Sequence, residues 1–86
     1  MKIKSGIVLR EVADSFVLMD LGGELNFNGM ITLNETGAFI FKRIEEGLSP
    51  ENIANSLADE YDISFETALS DVNAFIQKMN GVGVLE

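Results

Sequence analysis

Carboxylates are the side chains through which this chain could do acid–base or metal chemistry. They cluster at Glu45-Glu46 and at Asp59-Glu60 with Asp62. A close carboxylate pair can share a proton or hold a hard cation. The setting argues against both uses. Glu45-Glu46 falls at an expected helix end, and Asp59-Glu60-Tyr61-Asp62 lacks the alternating ligand spacing of a calcium loop. Both clusters read as solvated surface. Gly22-Gly23 is followed by neither a P-loop lysine nor a helix start, so it reads as a turn and not as a phosphate cradle. Lys42-Arg43 is a basic pair on a helix, where long stems lie along the surface and keep their charges in water.

The chain has no Cys and no His. Disulfides, thiolate nucleophiles, Cys/His zinc sites and imidazole bases are thereby excluded. An enzyme would have to work with carboxylates, Lys, Tyr, Ser or Thr, and no such set converges in the sequence. Neither a metal nor an organic cofactor is expected.

At 86 residues the chain is the length of one small domain, spanning 1–86, with 47% hydrophobic residues for a core. No apolar region follows the basic start Met1-Lys2-Ile3-Lys4, because Arg10 and Glu11 interrupt it. A secretory signal and a bilayer span are therefore not expected, and the default location is the cytoplasm. Fourteen acidic and six basic residues give a net charge of −8. Duplex binding needs a basic face to displace counterions, and the six basic residues here form only short pairs. The acidity suits solubility, or attraction to a basic peptide or protein partner.

The elements that position these residues follow from pattern. Residues 7–12 and 16–21 read as strands joined by a tight turn at Ala13-Asp14-Ser15. From Glu24 to Leu33 polar and apolar residues alternate, as in one long strand, yet Asn28-Gly29 is also a favoured hairpin turn. The reading adopted is an irregular lead-in and a third strand over Gly29, Met30, Ile31, Thr32 and Leu33.

Three helices are predicted next. Asn34 can cap the first, over 35–46, with Glu35 opposing the helix dipole and Gly47 as its stop. Gly37 costs helix propensity, which predicts that another backbone approaches there. Ser49 caps the second helix with Pro50 in its first position. Ser64 caps the third, with Ile63 and Ala68 placed as a hydrophobic staple and Asn80-Gly81 as its end. Val82 to Leu85 forms a short apolar tail that can make a last strand segment. Strands followed by helices make an α+β fold of winged-helix type, a three-stranded antiparallel sheet followed by a three-helix bundle.

Such a sheet has two edges, and an open edge either binds something or must be blunted. The third helix carries the stripe Phe65, Ala68, Leu69, Val72, Phe75, Ile76 and Met79, wider than one packing seam needs. Most of it is core, and its margin can line a groove. Leu69, Val72, Ile76 and Met79 share one side of the helix, with Phe75 nearer the core.

In order and spacing the chain resembles the pyrroloquinoline quinone synthesis protein D (PqqD) family, the stand-alone recognition elements for ribosomally made, modified peptides (RiPPs). The likeness runs from about Gly6 to Leu85. It is carried by Leu9-Arg10, Phe16-Val17-Leu18-Met19-Asp20, Leu33-Asn34-Glu35-Thr36-Gly37-Ala38, Glu46-Gly47, Ile53-Ala54 with Leu57, Glu60-Tyr61-Asp62 and Asp71-Val72 with Phe75. The lead-in Leu21–Asn28 is longer than the simplest family hairpin. The resemblance implies a non-catalytic winged-helix-like adaptor. A precursor's leader peptide adds as a strand beside the third strand, here Gly29–Leu33, and packs on the third helix, where Leu69, Val72, Ile76 and Met79 are the expected groove floor. Either face of that strand, Met30 with Thr32 or Ile31 with Leu33, is open as groove lining. The rest of the peptide is presented to a modifying enzyme, often a radical S-adenosylmethionine enzyme. A homodimer through a strand edge, competing with the leader, is the expected self-association. The alternative reading is a winged-helix DNA-binding transcriptional regulator. It would need a basic, outward-facing third helix, whereas this one carries Glu66 and Asp71 against Lys78 alone.

Overall fold

Apolar alternation in the first two hydrophobic runs builds a hairpin. In the computed structural model, which describes residues 1–22 and 30–86, β1 (Ile7–Val12) pairs antiparallel with β2 (Ser15–Asp20) from Ile7↔Asp20 to Val12↔Ser15. The second strand starts one residue earlier than predicted. Ser15 pairs with Val12, so only Ala13 and Asp14 remain in the turn. Ala13 meets its geometry with φ 55°, a left-handed conformation that costs a residue bearing a Cβ.

The third strand, β3 (Met30–Leu33), pairs antiparallel with β2 through Phe16↔Leu33, Val17↔Thr32, Leu18↔Ile31 and Met19↔Met30. The sheet order is β1-β2-β3, so β3 lies at an edge. Gly29, the Asn28-Gly29 turn and the lead-in from Gly23 lie outside the described residues.

The helices begin and end where cap chemistry predicts. In α1 (Glu35–Glu45), Asn34 Oδ1 accepts from the Gly37 N–H at 2.7 Å. At its other end the Gly47 N–H donates to Ile44 O and the Leu48 N–H to Arg43 O, with Gly47 at φ 87°. That double bond satisfies two carbonyls the helix would leave orphaned. In α2 (Pro50–Tyr61), Ser49 Oγ accepts from the Asn52 N–H at 3.2 Å, and left-handed Asp62 closes the helix. In α3 (Phe65–Gly81), Ser64 Oγ accepts from the Thr67 N–H at 3.1 Å. Ala68 is fully buried and Ile63 packs partly buried on the same core, the positions a hydrophobic staple needs.

One hydrophobic core joins the sheet to all three helices. Leu18, Ile40, Phe41, Ile53, Leu57, Val72, Met79 and Val84 are completely buried in it. The inner face of the sheet supplies Ile7, Leu18 and Leu33, with Leu9, Phe16 and Ile31 packed beside them. The two chain ends also meet, which the sequence pattern did not indicate. Ile3 bridges Leu85, the Lys4 N–H donates to Val84 O and the Glu86 N–H to Lys2 O, both at 2.8 Å. This clasp holds Val84 in the core. The result is an α+β, winged-helix-like arrangement of a three-stranded antiparallel sheet followed by three helices.

Candidate functional site

Strand β3 is bonded to β2 on one side only, and among the described residues nothing pairs with its other side. Beside that edge a groove of about 550 Å³ opens between β3, the start of α1 and α3. Thr32, Leu33, Asn34 and Thr36 form one wall, Gly37 and Ile40 the base, and Asp71, Ala74, Phe75 and Lys78 the helical wall.

The alternation of β3 decides which of its faces looks toward the helices. Leu33 is buried and Ile31 is half-buried against the core, whereas Met30 and Thr32 are exposed. Ile31 and Leu33 therefore belong to the helix side. Thr32 reaches the groove because it stands at the edge, and Met30, 60% exposed, lies on the sheet's outer face.

On α3 the four residues expected as the floor lie apart from the groove's lining. Val72 and Met79 are completely buried and Leu69 and Ile76 half-buried, and none of the four lines the groove. Helical spacing explains this. Ala68, Val72, Phe75 and Met79 recur at intervals of three or four and make the face that packs inward. Leu69 and Ile76 flank that face on the side away from β3. The groove uses the opposite flank, Asp71, Ala74 and Lys78, which share one strip of surface with Phe75. An apolar stripe marks burial, and the edge of a groove is polar, so a search for apolar residues passed over Asp71, Ala74 and Lys78. The available signal was a small residue, Ala74, between two charges seven positions apart.

Phe75 has two roles. It is 8% exposed, part of the core cluster, and its ring edge is also groove wall. Gly37 makes room for it. A Cβ on Gly37 would lie 3.3 Å from Phe75 Cε1 and 3.1 Å from Asn34 Oδ1. The close approach predicted at Gly37 is thus made by a side chain and not by a backbone.

Away from the groove, α1 and α2 meet through an aromatic pair. The Phe39 and Tyr61 rings lie edge to face at 5.8 Å between centroids, with the Arg43 guanidinium 4.6 Å above Phe39. Desolvation raises the Tyr61 phenol above its usual pKa, and the negative charge of the neighbouring Glu35 carboxylate raises it further. Arg43 is also bonded to Glu46 at 2.7 Å. Among the described residues no group of three or more acidic side chains converges as a metal site. Glu45, Glu46, Asp59, Glu60 and Asp62 are all exposed.

A winged-helix-like domain with an edge strand, unpaired on its outer side among the described residues, beside a helix-walled groove is the class these features define. The sequence profile of coenzyme PQQ synthesis protein D (PqqD) matches residues 15–85, and the chain belongs to that family. Among solved structures, TbiB1 in complex with the TbiA(beta) leader peptide is similar, with a TM-score of 0.82 and 28% identity over 100% of this chain and 95% of that one. Lasso peptide synthetase B1 complexed with the leader peptide has a TM-score of 0.81 and 27% identity over 99% of this chain and 95% of that one. No curated protein sequence matches.

Proposed function

We propose that this protein is a leader-peptide-binding recognition element of RiPP biosynthesis. The observation that carries the reading is the edge of β3, unpaired among the described residues, directly beside the groove walled by α3. A peptide added there as a strand gains backbone hydrogen bonds, and its alternate side chains enter the groove for specificity. The two similar solved structures are both complexes with leader peptides, which supports the same use here. The domain acts without catalysing, presenting the remainder of the precursor to a modifying enzyme, a radical S-adenosylmethionine enzyme in this reading. Its setting is the cytoplasm, where a ribosomally made precursor is first available. Among the described residues no helix is long and apolar enough to cross a membrane. Self-association through the β3 edge competes with the leader for the same backbone groups. The regulator reading has less support, since the α3 surface carries Glu66 and Asp71 against Lys78 and the chain has a net charge of −8.

The test is a titration of isotope-labelled protein with peptides selected from a displayed library of random linear sequences, followed by backbone amide shifts. Shifts concentrate in 30–33 and 71–78, with few in 49–61. Shifts centred on α2 overturn the site.

A further inference from the structure

The groove is not electrically neutral along its length. Of the residues that line it, only Asp71 and Lys78 are charged. Both are exposed, and among the described residues neither takes part in an ion pair. They stand seven positions apart on α3, about 10 Å along its axis. Between them the wall is Ala74 and Phe75, one small and one apolar. Across the groove β3 carries no charge at all, and its Met30–Leu33 span is about 13 Å long. Both charges therefore lie in the groove that β3 borders.

We infer that Asp71 and Lys78 fix the register of the bound peptide by selecting a segment with a basic and an acidic residue two or four positions apart. This rests on the peptide-binding reading above and adds the chemistry of the ligand. Same-face residues of an extended strand recur every ~7 Å, so two or four positions span ~7 to 13 Å, which brackets the separation of the helix charges. A residue three positions away would point to the other face and miss α3. Backbone pairing alone has no preferred register along a featureless edge, since each step offers the same donors and acceptors. Two opposite charges at the ends of an apolar floor break that degeneracy. A strand slipped along the edge loses both pairings or brings like charges together at one end. The chain's excess of acid also matters: its field favours approach of the basic residue, and Asp71 marks where that residue docks.

The experiment uses the full chain and a displayed library of random linear peptides. It compares the wild type, the charge-exchanged variant D71K/K78D and the groove-blocked variant Ala74→Arg. The exchange leaves net charge unchanged, and all three positions are exposed, so the fold is retained and far-UV circular dichroism checks it. The wild type is expected to enrich peptides with an acid and a base two or four apart, in the one order that the preferred, antiparallel direction of pairing with β3 sets. The exchanged variant enriches the opposite order. The best wild-type peptide loses roughly tenfold in affinity on exchange, because two exposed pairs turn from attraction to repulsion. That difference shrinks in molar salt. Peptides that lose binding in Ala74→Arg but show no charge order, or the same order in both proteins, overturn the inference and leave groove binding standing. Failure to enrich any peptide that Ala74→Arg displaces overturns the groove reading and the inference with it.

Discussion

Phe75 Cε1 lies 3.3 Å from where a Cβ on Gly37 would sit, so the bare backbone of α1 is what lets the Phe75 ring form groove wall and core at once. Two effects oppose each other in Gly37→Ala. Alanine improves helix propensity by about 1 kcal/mol. The new methyl group must also displace Phe75 and the Asn34 side chain by a few tenths of an ångström. The expected outcome is a thermal midpoint within a few degrees of the wild type and a clear loss of peptide affinity, as the ring is driven into the groove. Calorimetric titration beside a melting curve checks it. Unchanged affinity would show that the Gly37–Phe75 contact does not shape the site.

Asn34 carries the cap that starts α1, and α1 contributes Ile40, Phe41 and Ile44 to the core. Asn34→Ala should cost about 1 kcal/mol. For a domain of this size that lowers the midpoint by roughly 4–8 °C. Asn34 also lines the groove, so part of any affinity change is local. A melt by circular dichroism decides the first point. Full stability with lost binding would make Asn34 a contact residue and not a cap.

The elements legible in the sequence were those whose signals are local. Asn34, Ser49 and Ser64 each accept the backbone bond that their residue type predicts, and Gly47 ends α1 in the left-handed conformation expected of it. The non-local features were less legible. That Val72 and Met79 point inward while Asp71 and Lys78 border the groove depends on how α3 is rotated against β3, and the rotation is set by packing partners far away in sequence. The clasp of Ile3 on Leu85 joins segments at opposite ends of the chain; the apolar tail suggests a strand segment, but nothing local names its partner. The left-handed Ala13 was hidden because alanine carries no turn signal.

Ala13 holds φ 55° with a Cβ that disfavours it. Ala13→Gly removes that steric cost and adds a smaller entropic one in the unfolded chain. The net expectation is stabilisation of up to about 1 kcal/mol, read as a rise in the denaturant midpoint with an unchanged slope. A fall in the midpoint would mean that the turn pays no strain at Ala13.

Tyr61 is the only tyrosine, and the chain has no tryptophan, so an absorbance titration of tyrosinate reports this one group. Desolvation and then Glu35 raise its pKa above 10.0. A raised pKa means that the native environment favours the neutral phenol. Its contribution to stability is therefore fully present below the unfolded value of 10.0 and is lost as pH rises through the higher folded value. The midpoint should lie above 10.0 in the wild type and move down in Glu35→Gln, without reaching the unfolded value because desolvation remains. An unshifted midpoint in Glu35→Gln would remove Glu35 as a cause.

Met79 and Ala74 separate core from groove on a single helix. Met79 is completely buried, and Met79→Ala leaves a cavity worth about 2–5 kcal/mol, a large part of the stability of a domain this small. Ala74 is exposed in the groove wall, and a long charged side chain there occupies the space of the added strand while touching no core atom. Met79→Ala should thus melt far below the wild type, yet bind peptide normally at temperatures where it is folded. Ala74→Arg should melt like the wild type and bind poorly. Ile76→Asp, on the flank away from β3, should lower stability through the half-buried charge and spare binding. Paired melts and titrations of the three variants test the assignment. A selective loss of binding in Ile76→Asp with full binding in Ala74→Arg would move the groove to the other side of α3.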